Sequence, residues 1–283
     1  MIPGFVLSLR EGIEAALIIG IILSALKKLQ RPDLRAAVWT GAGIAALLSI
    51  AAAWSLIALG ASLEGPAEPV FEGATMALAA GVLTWMIFWM QNQSRRIKGE
   101  LEKGVRQALF NNGKKAIIFL AWVAVLREGI ELALFISAAA LADGAQQTLI
   151  GALLGLAASA FLGWALFSSM IRLDLKRFFQ VTGVLLILFA AGLVAHSVQE
   201  FNEAGWIPAI ITPLYNVNFL LDEQSFLGQV LSSLFGYRGA PSLAEAIAYV
   251  AYFIAIWVGM RINRPAPVRV TSKTPPSNSI EAG

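Results

Sequence analysis

The chain of 283 residues is 58% hydrophobic and only 14% charged, with a mean hydropathy of +0.71. Soluble domains run at about 45–50% apolar and about 25% charged, so that class is excluded and the chain reads as an integral membrane protein. The absence of cysteine and the single histidine, His196, exclude disulfide scaffolds, thiolate sites, cysteine nucleophiles and an imidazole metal cage within one chain. The net charge of +3 sits in scattered connections, which argues against a nucleic-acid partner. Gly113-Lys114-Lys115 lacks the upstream glycine and the hydroxyl residue of a phosphate-binding loop.

In chain order, apolar runs near 3–26, 37–59, 70–91, 116–140, 148–170, 178–198 and 246–262 are each long enough, or nearly so, to cross about 30 Å of hydrocarbon as a helix. Every Lys and Arg except Arg10, Arg127 and Arg238 lies in the connections after the first, third, fifth and seventh runs. Basic connections stay on the cytoplasmic side, which predicts the amino terminus outside and the carboxyl terminus inside. The expected protein is all-α and polytopic, with a 3+3 inverted-topology repeat plus a seventh helix. Its parts are a first three-helix repeat over 1–91, a basic cytoplasmic loop over 92–115 and a second repeat over 116–200. An outer interfacial segment over 201–245, a seventh transmembrane helix over 246–262 and a disordered cytoplasmic tail over 263–283 follow. Within the outer segment, Asn216–Phe235 is expected to form a helix lying in the interface, and Ser242-Leu243-Ala244-Glu245 reads as a capping box.

The repeat rests on one motif. Residues 9–17 read Leu-Arg-Glu-Gly-Ile-Glu-Ala-Ala-Leu and residues 126–134 read Leu-Arg-Glu-Gly-Ile-Glu-Leu-Ala-Leu. One copy lies in the first run and one in the fourth, so the two halves cross in opposite senses, a construction shared by many secondary transporters. At about 1.5 Å per residue, Glu11, Glu14, Glu128 and Glu131 all fall near the bilayer midplane. Charges at that depth face a cavity or one another. The glutamates of each motif are spaced i, i+3 and share a helix face, while Arg10 and Arg127 stand i, i+4 from Glu14 and Glu131, within pairing distance. Four carboxylates against two arginines suit a multivalent cation, and oxygen ligands favour a hard one. Locking of the bundle by two Arg–Glu pairs is the structural alternative.

Further candidates are weaker. His196 and Glu200, spaced i, i+4 in the sixth run, suit a secondary metal site or proton relay, or simply a polar helix end. Glu64, Glu68 and Glu72 repeat every four residues at the outer side, suited to loose cation capture, although Pro66 and Pro69 are expected to interrupt any helix there. Trp39, Trp54, Trp85 and Trp89 read as interface anchors and packing.

These residues resemble the oxidase-dependent iron permease family, which includes the fungal high-affinity iron permease and the bacterial EfeUOB-type permease. The similarity is carried by the twin Arg-Glu-Gly-Ile-Glu motifs, Phe71-Glu72-Gly73, Thr84-Trp85-Met86, the Thr182-Gly183 to Glu200 pattern, and Gly236-Tyr237 with Pro241-Ser242. It covers roughly residues 1–262. The resemblance implies iron uptake at a plasma membrane, here the bacterial inner membrane, with iron as transported substrate and no permanently bound cofactor. It implies Glu11, Glu14, Glu128 and Glu131 as iron ligands tuned by Arg10 and Arg127. It also implies a periplasmic iron-binding, haem-peroxidase or oxidase partner that links transport to iron oxidation. A homo-oligomer stays open. So do a channel or transporter for another divalent cation such as Pb2+ and an intramembrane metal-dependent enzyme, although no His-Glu-x-x-His is present.

Overall fold

A computed structural model describes residues 1–93, 97–111, 113–168, 174–219, 221–222 and 225–262, and these residues form helices and their connections without a strand. The helices are α1 (Ile2–Lys28), α2 (Arg35–Ser62), α3 (Ala67–Gln93), α4 (Ile97–Asn111), α5 (Lys114–Asp143), α6 (Ala145–Phe167), α7 (Leu175–Glu203), α8 (Phe226–Phe235) and α9 (Leu243–Ile262). The expected tail over 263–283, together with Arg95, Arg96, Arg172 and Glu223, lies outside the described residues.

All seven apolar runs form helices over their described residues, the fifth as far as Phe167. Among the described residues, five helical segments are long and apolar enough to cross a membrane: Pro32–Ser62, Ala67–Trp89, Ala145–Phe167, Arg177–Glu203 and Leu243–Ile262. Helices α1 and α5 are 27 and 30 residues long, but each carries the charged motif in its middle. They are also central in the bundle. Helix α1 lies along α6, α2 lies along α5, α3 pairs with α7, and α1 crosses α5. The outward faces of α2, α6, α7 and α9 display Leu47, Trp54, Leu153, Phe161, Val181 and Ile254. Such a continuous apolar exterior is what a lipid solvent requires.

Three details differ from the sequence reading. The basic connection over 92–115 contains α4, whose Val105 and Ala108 are buried in a core with Ile22, Leu26 and Ile117, and whose Glu102 pairs with Lys28 at 3.3 Å. Among the described residues of 216–235 only Phe226–Phe235 is α-helical; Ser225 Oγ caps it by accepting from Gly228 N at 3.0 Å, and Gly236 ends it in the left-handed region at φ 64°. Pro69 does not interrupt the third helix, because α3 starts at Ala67 and a first-turn proline has no intrahelical N–H bond to lose. The Ser242–Glu245 capping box does form: Ser242 N donates to Glu245 Oε1 and Glu245 N donates to Ser242 Oγ, both at 3.2 Å.

The packing shows an internal equivalence broader than the motif. A Cβ on Gly12 would lie 2.1 Å from Ser159 Oγ of α6, and a Cβ on Gly129 would lie 2.0 Å from Ser49 Oγ of α2. A Cβ on Gly151 would meet the Met1 carbonyl oxygen at 2.0 Å, and one on Gly41 would meet that of Ile118 at 2.4 Å. The α1–α6 seam therefore repeats the α5–α2 seam at both of these glycine contacts. Small residues let these backbones approach, as they do in lipid-embedded helix pairs generally. Gly12→Ala is expected to destabilise the protein by about 1–3 kcal/mol through overpacking, read as a lower melting temperature in detergent. Adding Ser159→Gly should restore most of the loss; no rescue would mean that the close approach is not what requires the glycine.

Candidate functional site

The two motifs meet where α1 crosses α5. Glu11, Glu128 and Glu131 are buried, at 1%, 5% and 8% exposure. One carboxylate oxygen from each lies within 4.8 Å of the other two. Among the described residues this is the only trio of His, Asp or Glu so arranged. Oxygens sharing a hard cation at about 2.0–2.6 Å stand at most about 4–5 Å apart, so small rotamer shifts suffice to close the three around one ion. Glu11 Oε2, Glu128 Oε2 and Glu131 Oε2 are buried and accept no hydrogen bond from the described residues. Unsatisfied buried carboxylate oxygens are costly, and a cation resolves that cost.

The two arginines are held differently. Arg10 is 1% exposed; its Nη1 donates to Glu11 Oε1 at 2.6 Å and Nη2 lies 2.9 Å from Glu14 Oε1. Its Nη1 is also 2.8 Å from Met86 Sδ of α3, and the guanidinium stands 6.0 Å from the Phe179 ring of α7. Arg127 is partly exposed. Its Nε donates to Glu131 Oε1 at 3.0 Å but stays 4.0 Å from Glu128 Oε1. Its guanidinium carbon lies 4.2 Å from the Trp89 ring centroid and 5.9 Å from that of Trp85. The i, i+4 pairs expected from sequence are both present. Glu14 is the one motif glutamate outside the trio, turned to Arg10.

The remaining candidates fall into separate places. His196 Nδ1 is 3.0 Å from the Gly192 carbonyl oxygen, and its ring lines a small cavity with Asp143 of α5 and Ser232 of α8. Glu200 instead packs beside Gly73 of α3 and interacts electrostatically with Glu68, Glu72, Glu203 and Arg238. Glu64 and Glu68 are exposed, and Arg238 pairs with Glu245 at 3.3 Å. Met86, Trp89 and Asp143 were not singled out from sequence as parts of a site. Met86 and Trp89 sit one helical turn apart on α3, a spacing that any apolar membrane helix offers by chance.

Comparison with known proteins places the chain in a family. The family described as Iron permease FTR1 family matches residues 1–263. The ferrous iron permease EfeU of Shigella sonnei (strain Ss046) is 34% identical over 264 residues, covering 93% of this chain and 96% of that one. The ferrous iron permease EfeU of Escherichia coli O6:K15:H31 (strain 536 / UPEC) is 35% identical over 256 residues, covering 90% and 93%. That of Yersinia pestis is 35% identical over 257 residues, covering 90% and 91%. No solved structure matches. The chain is a multi-pass protein of the bacterial inner membrane and a transporter rather than an enzyme, and it belongs to the iron permease FTR1 family.

Proposed function

We propose that the chain imports iron into the cytoplasm through the carboxylate site at the α1–α5 crossing. The observation that carries this reading is the buried trio Glu11, Glu128 and Glu131, each with an unsatisfied oxygen. Such a group binds a hard or borderline multivalent cation far better than any organic solute. In this reading α1, α2, α3, α5, α6, α7 and α9 all span the membrane, with the amino terminus outside. The matched glycine–serine contacts on α1–α6 and α5–α2 support a 3+3 inverted repeat, with the ion held near its pseudo-twofold axis. Glu64, Glu68 and Glu72 gather cations at the outer mouth, and Glu200 continues that acidic path; His196 with its neighbour Asp143 forms a second outer station. A divalent ion gains about 4.6 kcal/mol per 100 mV of inside-negative potential, enough to drive accumulation.

The relatives named ferrous iron permease favour ferrous iron as the ion presented to the site. Oxidation by a periplasmic partner is the accompanying proposal, since the outer face offers acids to hold iron there. Uptake by purified protein in sealed vesicles, with ferrous, ferric and lead ions competing, tests the reading. Saturable ferrous uptake that a membrane potential accelerates is expected. Equal or faster lead uptake, with iron failing to compete, would replace iron by another divalent cation.

A further inference from the structure

The two copies of the motif have the same sequence around their arginines, yet their arginines adopt different positions. Arg10 bridges both carboxylates of its own motif, with Glu11 at 2.6 Å and Glu14 at 2.9 Å. Arg127 makes only the second of these contacts, to Glu131 at 3.0 Å, and leaves its adjacent Glu128 at 4.0 Å. The α1 copy shows that the Arg-Glu-Gly-Ile-Glu backbone permits the arginine to reach its neighbouring glutamate. The difference therefore comes from outside the motif. On α3, the face of Trp89 lies 4.2 Å from the Arg127 guanidinium, with Trp85 stacked against Trp89 at a centroid distance of 6.1 Å. Beside Arg10 the Phe179 ring is 6.0 Å away, and Met86 Sδ contributes a weak acceptor.

We propose that Trp89 is a positioning residue for transport: its ring holds the Arg127 guanidinium off Glu128, so that the Glu128 carboxylate stays available to the ion. This rests on the reading of Glu11, Glu128 and Glu131 as the ion site. An arginine over an indole face is attracted by the ring quadrupole, more strongly where water is excluded. Released from Trp89, Arg127 takes the arrangement that Arg10 already shows, donating to both Glu128 and Glu131. It then competes with the cation for two of the three ligands. Trp89 thus sets how tightly the site binds, and movement of Arg127 between the ring and Glu128 is a local route by which the bound ion is expelled. In this role the ring acts through Arg127.

The test is equilibrium binding of ferrous ion to the purified full-length protein under anaerobic conditions, alongside vesicle uptake. Trp89→Leu and Trp89→Met are expected to raise the dissociation constant about tenfold, the scale of a desolvated cation–π contact, and to raise the half-saturation of uptake in parallel. Trp89→Phe, which keeps a ring face, should stay within about threefold of wild type. In an Arg127→Gln background the same Trp89 substitutions should change binding by less than twofold, because the group they release is gone. Equal losses in both backgrounds would assign Trp89 to packing and overturn the proposal, as would unchanged binding in Trp89→Leu and Trp89→Met. If Trp89→Leu melts early, the Trp89→Met and Trp89→Phe pair and the Arg127→Gln background still decide the matter. Wild-type protein that fails to bind ferrous ion would instead overturn the iron reading itself, an outcome separate from the behaviour of the Trp89 variants.

Discussion

Glu128→Gln is expected to lower ferrous uptake in vesicles by at least about a hundredfold while the protein still inserts and folds. The amide keeps the size of the side chain and one oxygen but removes the charge that faces the ion. Perturbing even an outer-shell partner of a metal site typically costs about 10–100-fold, and Glu128 belongs to the proposed ligand trio itself. Glu11→Gln and Glu131→Gln should fall in the same range. The three oxygens converge within 4.8 Å; if they hold one ion, as proposed, the Glu11→Gln/Glu128→Gln double variant should be little worse than either single one. Glu14→Gln should cost less, since Glu14 faces Arg10 at 2.9 Å and stands outside the trio. Uptake and ferrous binding are measured on the same preparations. Multiplicative losses in the double variant would show two successive stations rather than one site.

That ranking of the four glutamates was not legible in the sequence. The motif fixes identity, spacing and depth, so both i, i+4 arginine pairs and the meeting of α1 with α5 follow from it. It treats the two copies as equals. Their inequality arises from α3, which presents Met86 to Arg10 and Trp89 to Arg127, and tertiary neighbours of this kind leave no periodic signal. The helices themselves were readable, because lipid-facing runs such as those of α2 and α6 are apolar on nearly every side. Helix α4 was harder: its short apolar face, with Val105 and Ala108 buried, is diluted by charges within a basic connection.

The proposed repeat leaves further traces in the sequence. At a shift of 110 residues, Gly41-Ala42, Ser49 and Trp54 of α2 recur as Gly151-Ala152, Ser159 and Trp164 of α6. At a shift of 111, Ala79-Ala80-Gly81 of α3 recurs as Ala190-Ala191-Gly192 of α7. These matches are sparse because only small residues at backbone crossings are constrained, while lipid-facing positions drift among apolar types. The second shift also sets Trp85 and Trp89 opposite His196 and Glu200. In the proposed inverted repeat, the aromatic pair would lie toward one face of the membrane and the polar pair toward the other.

Arg10→Gln is expected to produce the second large effect, with opposite signs for stability and affinity. Arg10 is 1% exposed and compensates Glu11 and Glu14 directly. Removing one partner from a buried charge cluster costs about 3–5 kcal/mol, so the metal-free protein should melt lower by roughly ten degrees. The same removal leaves the site one charge more negative, which strengthens its hold on a cation. Bound ferrous ion then stabilises the folded protein in proportion to the logarithm of concentration over dissociation constant, and the iron-induced rise in melting temperature should exceed that of wild type. A tighter site releases more slowly, so maximal uptake should fall even as binding improves. Arg10→Lys should recover part of the metal-free stability, because it keeps the charge but lacks the planar fork that reaches two carboxylates at once. Melting with and without ferrous ion, and uptake at saturating iron, separate the two roles. Weaker ferrous binding in Arg10→Gln protein that melts cooperatively would show that the arginine shapes the ligand trio rather than restraining its grip. Release would then have to depend on Arg127 alone.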